Sequence, residues 1–312
     1  MATNLAPTLP QTRATWRGRA YPYLLLSLAS LFWAGNWIVG RAVRDAMPPL
    51  ALNFWRWAVA ALLLAPVALP RLAGKGAVLR RHAGLLFLLG FTGVALFQAL
   101  IYTGLRYTPA VNGVLMNSAS PLFILLVAWR LDGERVTPRQ LLGVALSFLG
   151  ILVIMNRGDL AALRDFRFNP GDLVVLAAMP VWGLYSVLVR RRPAELDALA
   201  LVFLIAVIGV ALLAPFYALE GMLFPTPRLA WGPIGAVLYI ACFASIGAFF
   251  CWNRGVELVG PSRAGFTIHL LPAFGTLLAV ATLGERVHLF HLVGIATILA
   301  GVWLAASARA AR

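Results

Sequence analysis

The chain is poor in acid. Eleven Asp and Glu stand against 26 Lys and Arg, giving a formal charge of +15 over 312 residues. Charge of either sign is scarce as well: Asp, Glu, Lys and Arg make up 12% of the chain, about half the share found in soluble domains. No acidic residue falls in the middle of an apolar block. Asp45, Asp132, Glu134, Asp159, Asp165, Asp172, Glu195, Asp197, Glu220, Glu257 and Glu285 all lie in loops or at block ends. That removes the buried carboxylate on which proton- and sodium-coupled carriers usually rely. Coupling is then either absent or runs through another group, such as His269. Cysteine is confined to Cys242 and Cys251. On one helix they sit roughly 13 Å apart, too far to bridge. Gly74-Lys75-Gly76 lacks the spacing of a phosphate loop, which excludes that ATP site. His288 and His291 share a helix face but have no third metal ligand. Ser262 and His269 lie about 10 Å apart along one helix, out of reach for a nucleophile and its base. The chain is read as no enzyme, with no cofactor and no metal.

What the chain has is apolar length. Hydrophobic residues are 61% and mean hydropathy is +0.86. They fall into ten blocks, roughly 22–43, 50–69, 84–105, 109–129, 139–156, 171–189, 197–219, 233–255, 262–283 and 288–306. Each is near the ~20 residues a helix needs to cross a bilayer. Ten closely joined spans leave no room for a soluble domain. The basic excess then reads as a topology signal rather than a nucleic-acid surface. With the N-terminus inside, seventeen of the 26 basic residues fall in cytoplasmic segments, eight in outer loops, and Arg56 within a block. Both termini are expected in the cytoplasm. Residues 1–20 form a polar tail, and the block after them reads as a retained span rather than a cleaved signal. A single Lys among so many Arg, with abundant Ala and Leu, points to a GC-rich bacterial gene, hence to a bacterial inner membrane.

The apolar chain is duplicated. Gly104, Pro121, Gly133-Glu134-Arg135-Val136, Gly143 and Gly150 recur 151 residues later as Gly255, Pro272, Gly284-Glu285-Arg286-Val287, Gly294 and Gly301. Upstream, Trp33-Ala34-Gly35-Asn36 aligns with Trp182-Gly183-Leu184-Tyr185 at an offset near 149. Each unit holds five spans. An odd number makes the second unit enter the membrane from the opposite face, related to the first by a pseudo-two-fold axis in the membrane plane. The expected fold is an all-α integral membrane protein of ten transmembrane helices, two inverted five-helix repeats around a central cavity. The units are 21–157 and 170–307, with an outer linker at 158–169 and a C-terminal tail at 308–312.

Polar side chains inside apolar blocks are expensive in hydrocarbon, so each is a candidate for function. Trp33, Asn36 and Trp37 share a face of the first span, and Trp182, Tyr185 and Ser186 the matching face of the sixth. Gln98 and Tyr102 lie one turn apart in the third. Ser245, Trp252 and Asn253 lie in the eighth, with Asn253 equivalent to Tyr102. Ser118 and His269 occupy equivalent positions before the matched Pro121 and Pro272. Together they outline an aromatic-walled cavity with few hydrogen-bonding groups, fit for a small amphipathic organic solute. The alternative is packing between helices. Arg56, in Asn53-Phe54-Trp55-Arg56-Trp57, is either an anchor for a substrate carboxylate or an arginine that snorkels to the outer surface. His269 either meets substrate or is a satisfied core histidine. Pro121 and Pro272 are hinge or gate candidates.

These motifs, in this order and doubled, resemble the drug/metabolite transporter superfamily, namely the ten-helix bacterial exporters built from two EamA-type domains. The resemblance covers about residues 22–306. It implies a basket of helices around a central cavity lined by spans 1, 3, 4, 6, 8 and 9, and export of metabolites such as amino acids by alternating access. In character it is nearest the YddG-type exporters of aromatic and other neutral amino acids. It also implies a structural role for Gly-Glu-Arg, with the carboxylate capping a helix start. The second half has no match to Arg56. The implied partners are a small-molecule substrate and the lipid bilayer, with no ATPase subunit. Monomer and homodimer both stay open. Within the same fold, other metabolites or drugs are alternative cargo; a channel is the rival of another class.

Overall fold

The computed structural model describes residues 16–43, 46–104, 106–108, 113, 116–159, 170–223, 230–283 and 288–307. Among them the chain is helical, with no extended strand. A chain this apolar has little choice, because in lipid the backbone must satisfy its own hydrogen bonds. We number the principal helices α1 (Trp16–Ala42), α2 (Pro49–Leu72), α3 (Ala83–Gly104), α4 (Ser120–Asp132), α5 (Pro138–Met155), α6 (Pro170–Leu188), α7 (Ala198–Leu223), α8 (Trp231–Val259), α9 (Leu270–Leu283) and α10 (Leu289–Ala306). A single 3₁₀ turn, Val189–Arg191, closes α6. Seven of them, α1, α2, α3, α6, α7, α8 and α10, are long and apolar enough to cross a membrane; α5 is apolar but shorter. The second Gly-Glu-Arg copy (284–287), most of the 158–169 linker, and the tail residues 1–15 and 308–312 lie outside the described residues.

Local signals set the helix ends. Pro138 opens α5, where a missing N–H costs nothing. Thr137 and Gln140 cap that end reciprocally, Gln140 N to Thr137 Oγ1 at 3.2 Å and Thr137 N to Gln140 Oε1 at 2.9 Å. Gly133, at φ 68°, ends α4 in the left-handed region. The carboxylate of Glu220, on α7, accepts from the free amides of Leu50 and Ala51 at 3.1 and 2.7 Å and so caps α2.

Two departures from the sequence expectation matter for the site. Pro121 and Pro272 do not bend the middle of a span. Each sits in the first turn of a helix, α4 and α9, after an irregular stretch. Ahead of α9 the chain runs through a short helix (Pro261–Gly265) and a 3₁₀ turn (Phe266–His269). The reason is the same orphan-amide rule: proline is tolerated where no partner is due. Ahead of both prolines the α-helical ladder is interrupted, by the turn at Ser118 and Ala119 and by the buried 3₁₀ turn Phe266–His269. Secondly, α3 and α8 each contain a π-helical stretch, Phe91–Leu96 and Ile240–Gly247.

The glycines of the duplicated motif meet each other. A Cβ built on Gly143 would lie 2.6 Å from Gly301 O, and one on Gly150 2.6 Å from Gly294 O. So α5 and α10 run antiparallel at backbone contact, small residues allowing the approach. Exchanging each glycine for its repeat partner turns one contact into the other. The same holds for Gly104 against Val175 and Gly255 against Leu26, at 2.6 and 2.5 Å. We expect Gly143→Val to lower the melting temperature in detergent clearly, as overpacking at a backbone contact costs about 1–3 kcal/mol or more. Gly235→Val, on a glycine with open space around it, should leave the melting temperature within a degree or two of wild type.

Candidate functional site

The helices bring an aromatic cluster together. Trp33 on α1 meets Trp182 on α6 edge-on, with ring centroids 5.2 Å apart. Both meet Trp252 of α8 at 5.5 Å. Tyr185 stacks on Trp182 at 5.1 Å, and Phe97 leans on it at 4.9 Å. Trp57 of α2 touches Phe249 of α8 at 4.8 Å. Where the sequence led us to expect an open, aromatic-walled space, these rings pack against one another. Trp33 and Trp182 are repeat equivalents, and so the two copies of one motif are in direct contact. Trp37 packs half-buried against the same core.

Around the cluster lies a set of polar atoms without partners. Asn36 Oδ1, Asn53 Oδ1, Arg56 Nε and Nη2, Trp57 Nε1, Ser186 Oγ, Ser245 Oγ, Trp252 Nε1 and Asn253 Nδ2 are buried and make no hydrogen bond. Arg56 decides the matter. It is 0% exposed, so it does not snorkel. Its Nη1 donates to Tyr102 OH at 3.3 Å and its guanidinium lies 5.2 Å from the Trp57 ring centre. No carboxylate pairs with it among the described residues. Asn53, one turn earlier on the same face, donates through Nδ2 to Val94 O at 3.2 Å. That carbonyl belongs to the π stretch of α3. The other π stretch offers Ala244 O, which accepts from Trp33 Nε1 at 3.2 Å. The Asn53 bond fixes the amide and leaves Oδ1 as a free acceptor beside Arg56. Gln98 is buried on α3, one turn from Tyr102. A cleft of about 150 Å³ opens one turn beyond this group. It is lined by Leu50, Arg106 and Glu220 among others, with Leu50 a turn from Asn53 and Arg106 a turn from Tyr102.

His269 and Ser118 behave differently. His269 Nε2 donates to Ser118 O at 2.8 Å, and Nδ1 is paired with the Ser147 hydroxyl. Both ring nitrogens are thus occupied within the protein, joining the 3₁₀ turn to α5 and to the segment before α4. Since Ser118 and His269 are repeat equivalents, this is a second contact between matching positions. The sequence reading passed over Asn53, Trp57 and Phe249. Asn53 was legible as the polar residue three before Arg56; Phe249 carries no signal beyond being apolar.

At the far end of α4 and α6, three successive arginines are tied to three carboxylates. Arg190 pairs with Glu134 at 3.1 Å, Arg191 with Asp132 at 2.5 Å and Arg192 with Glu257 at 2.6 Å. Glu134 also accepts from the Ser262 hydroxyl. It therefore ties the α4–α5 turn to the ends of neighbouring elements by ion pair and hydroxyl, where a cap on backbone amides was expected.

A model of the EamA-like transporter family matches residues 20–156 and again 169–307. The chain belongs to this family. Similar proteins include the uncharacterized transporter YyaM of Bacillus subtilis (strain 168), 26% identical over 280 residues that span 90% of this chain and 92% of that protein. An uncharacterized transporter of Archaeoglobus fulgidus is 29% identical over 286 residues, 90% of this chain and 96% of that one. A probable terminal-alkyne amino-acid exporter of Streptantibioticus cattleyicolor is 28% identical over 279 residues, 89% and 91% of the two chains. A solved crystal structure shares the fold with a TM-score of 0.74 at 21% identity, covering 92% of this chain and 97% of that chain. As an EamA-like member of the drug/metabolite superfamily, the protein is a multi-pass membrane transporter and not an enzyme.

The unanswered donors of Arg56 yield a stability prediction. Arg56→Met keeps the volume and removes a buried charge with incomplete partners, a change that is neutral or stabilising by about 1–4 kcal/mol in other proteins. The melting temperature of the unliganded protein in detergent is expected to hold or rise. A fall of more than a few degrees would mean that Arg56 serves the fold.

Proposed function

We propose that this EamA-like protein is a secondary transporter that exports small organic metabolites, foremost neutral and aromatic amino acids, across the bacterial inner membrane by alternating access. The observation that carries the reading is the fully buried Arg56, whose Nε and Nη2 have no partner. A substrate carboxylate would answer both in the paired geometry that guanidinium favours. Unanswered acceptors nearby, Asn53 Oδ1 and Asn36 Oδ1, suit an ammonium group. Trp33, Trp37, Trp182, Tyr185 and Trp252 supply apolar faces for a side chain, with Gln98, Tyr102 and Asn253 at their edges. The relative named as a probable amino-acid exporter supports the same class. We leave His269 and Ser118 out of the substrate shell, because both ring nitrogens of His269 are held within the protein, one of them by the Ser118 backbone carbonyl.

The same reading arranges the ten helices as two inverted repeats, 21–157 and 170–307, with both termini in the cytoplasm. Its support is the reciprocal packing of Gly143 on Gly301 and Gly150 on Gly294, together with the direct contacts Trp33–Trp182 and Ser118–His269. Contacts between equivalent residues are what a two-fold axis running between the halves would produce. The interrupted helices at Pro121 and Pro272 then serve as the gate segments, as broken helices do in carriers of inverted design.

Four measurements check the proposal. Counterflow of radiolabelled amino acids into proteoliposomes, run over a panel, should show saturable exchange of neutral and aromatic ones. Arg56→Met should cut that exchange by a factor of ten or more, since a lost charge-assisted pair is worth about 1.5–3 kcal/mol; unchanged exchange removes the anchor. Counterflow should run without a pH gradient, because no carboxylate sits at mid-membrane; a strict gradient requirement would point to another coupling group. For topology, single cysteines at Arg135 and Arg286 should differ in intact cells, with only Arg286→Cys reached by an impermeant maleimide. Labelling of both from one side would refute the inverted arrangement.

A further inference from the structure

Two equivalent pairs of residues are in different bonding states. In the second half, Tyr185 on α6 donates its hydroxyl proton to Asn253 Oδ1 on α8 at 2.7 Å. The repeat counterpart of Tyr185 is Asn36 on α1, 149 residues earlier, and that of Asn253 is Tyr102 on α3, 151 earlier. The pair therefore recurs with its members exchanged, tyrosine for asparagine on each helix. In the first half the bond is not made. Asn36 Oδ1 is buried without a partner, while the Tyr102 hydroxyl accepts from Arg56 Nη1 at 3.3 Å.

We infer that a Tyr102–Asn36 hydrogen bond is the counterpart of Tyr185–Asn253, formed when the two halves exchange conformations, and that it makes Tyr102 a positioning residue for Arg56. This rests on the inverted-repeat reading proposed above. In the exchanged state the first half takes the geometry that the second half has here. The Tyr102 hydroxyl then donates to Asn36 Oδ1 while still accepting from Arg56, since one hydroxyl holds both roles at once. The chain Arg56 to Tyr102 to Asn36 fixes the guanidinium in that state and leaves it held at one end only in this one. Tyr185 and Asn253 part in return. One such bond exists in either state, which keeps the two close in free energy, as a carrier that must visit both requires.

The test is a pair of substitutions with opposite expected signs. Nitroxide labels on Arg130→Cys and Ala194→Cys report the separation of the end that carries Arg190–Arg192; labels on Ala42→Cys and Ala281→Cys report the other end. All four positions are exposed, and Cys242→Ser and Cys251→Ser clear the background. Distances are measured by pulsed electron paramagnetic resonance in liposomes. Tyr185→Phe removes a bond present only in the state described here, so the 130–194 distance should shift toward the longer population. Asn36→Leu removes an acceptor used only in the exchanged state, so it should shift the same distance toward the shorter one. Each shift should be on the order of fivefold in the ratio of the populations, the size of one net hydrogen bond. Should Asn36→Leu fail to insert, Asn36→Ala removes the same acceptor. Shifts in the same direction, or none, in a protein whose two ends still open reciprocally would overturn the relay alone. Two ends that never move reciprocally in the unsubstituted background would overturn the inverted-repeat reading, and the relay with it.

Discussion

Neither half of this chain can complete its own packing. In water the apolar faces would be driven together, but lipid is as apolar as leucine, so association rests on close fit and a few polar contacts. Here the close fit lies between the halves. α5 and α10 meet at backbone distance along two glycine pairs. α1 packs on α8 and α9, α6 packs on α3 and α4, and α2 packs on α7. Any rearrangement of one half must therefore be answered in the other. Two copies of a unit, each wrapped by its twin, form a single body.

Polar burial separates the residues that hold this body from those poised for something else. His269 and Arg56 were equally ambiguous as letters, each an ionisable group in an apolar block. His269 has both nitrogens answered by Ser118 and Ser147, the usual state of a buried polar group. Arg56 has two donors unanswered. An arginine at mid-helix costs about 2.5–3.5 kcal/mol even on the lenient insertion scale, and an unpaired buried donor adds about 1–3 kcal/mol. That penalty is of the order of a domain's whole stability margin. Packing alone gives no reason to retain it, whereas the substrate carboxylate proposed above would.

Much of this was legible in the sequence. The apolar blocks, the duplicated glycines and the Trp33 and Trp182 faces all came from residue type and spacing, because span length and helix periodicity are local properties. The site was half legible. Tyr102 and Arg56 could be named but not joined, since their 3.3 Å bond depends on how α2 crosses α3. The prolines were misplaced within their spans because sequence does not show where a helix restarts. The π stretches were illegible, as nothing in Phe91–Leu96 or Ile240–Gly247 breaks the apolar pattern. That the rings pack on one another in this structure was not legible, because aromatic residues line voids and fill them equally well.

The two ends of the molecule are not equally built. Arg190, Arg191 and Arg192 each hold a carboxylate, and their repeat counterparts are Arg41, Ala42 and Val43. By sequence only the first of the three pairs has a counterpart of matching chemistry, Arg41 and Glu285. In the inverted arrangement proposed above, duplication would give two gates of one design but unequal strength. The size of the inequality matters. The three pairs are partly exposed, with side-chain accessibilities from 10% to 47%, and such pairs contribute about 0–1 kcal/mol each. Two extra ties then amount to a bias of about 0–2 kcal/mol toward closure of this end, a ratio of about thirty at most, and salt weakens it. A lock of 5 kcal/mol or more would leave the opposite state too rare to carry flux. A bias this small does not. On the proposed mechanism it would set which side the empty carrier faces more often, and a substrate held by Arg56 would need only a modest preference for the other state to reverse it.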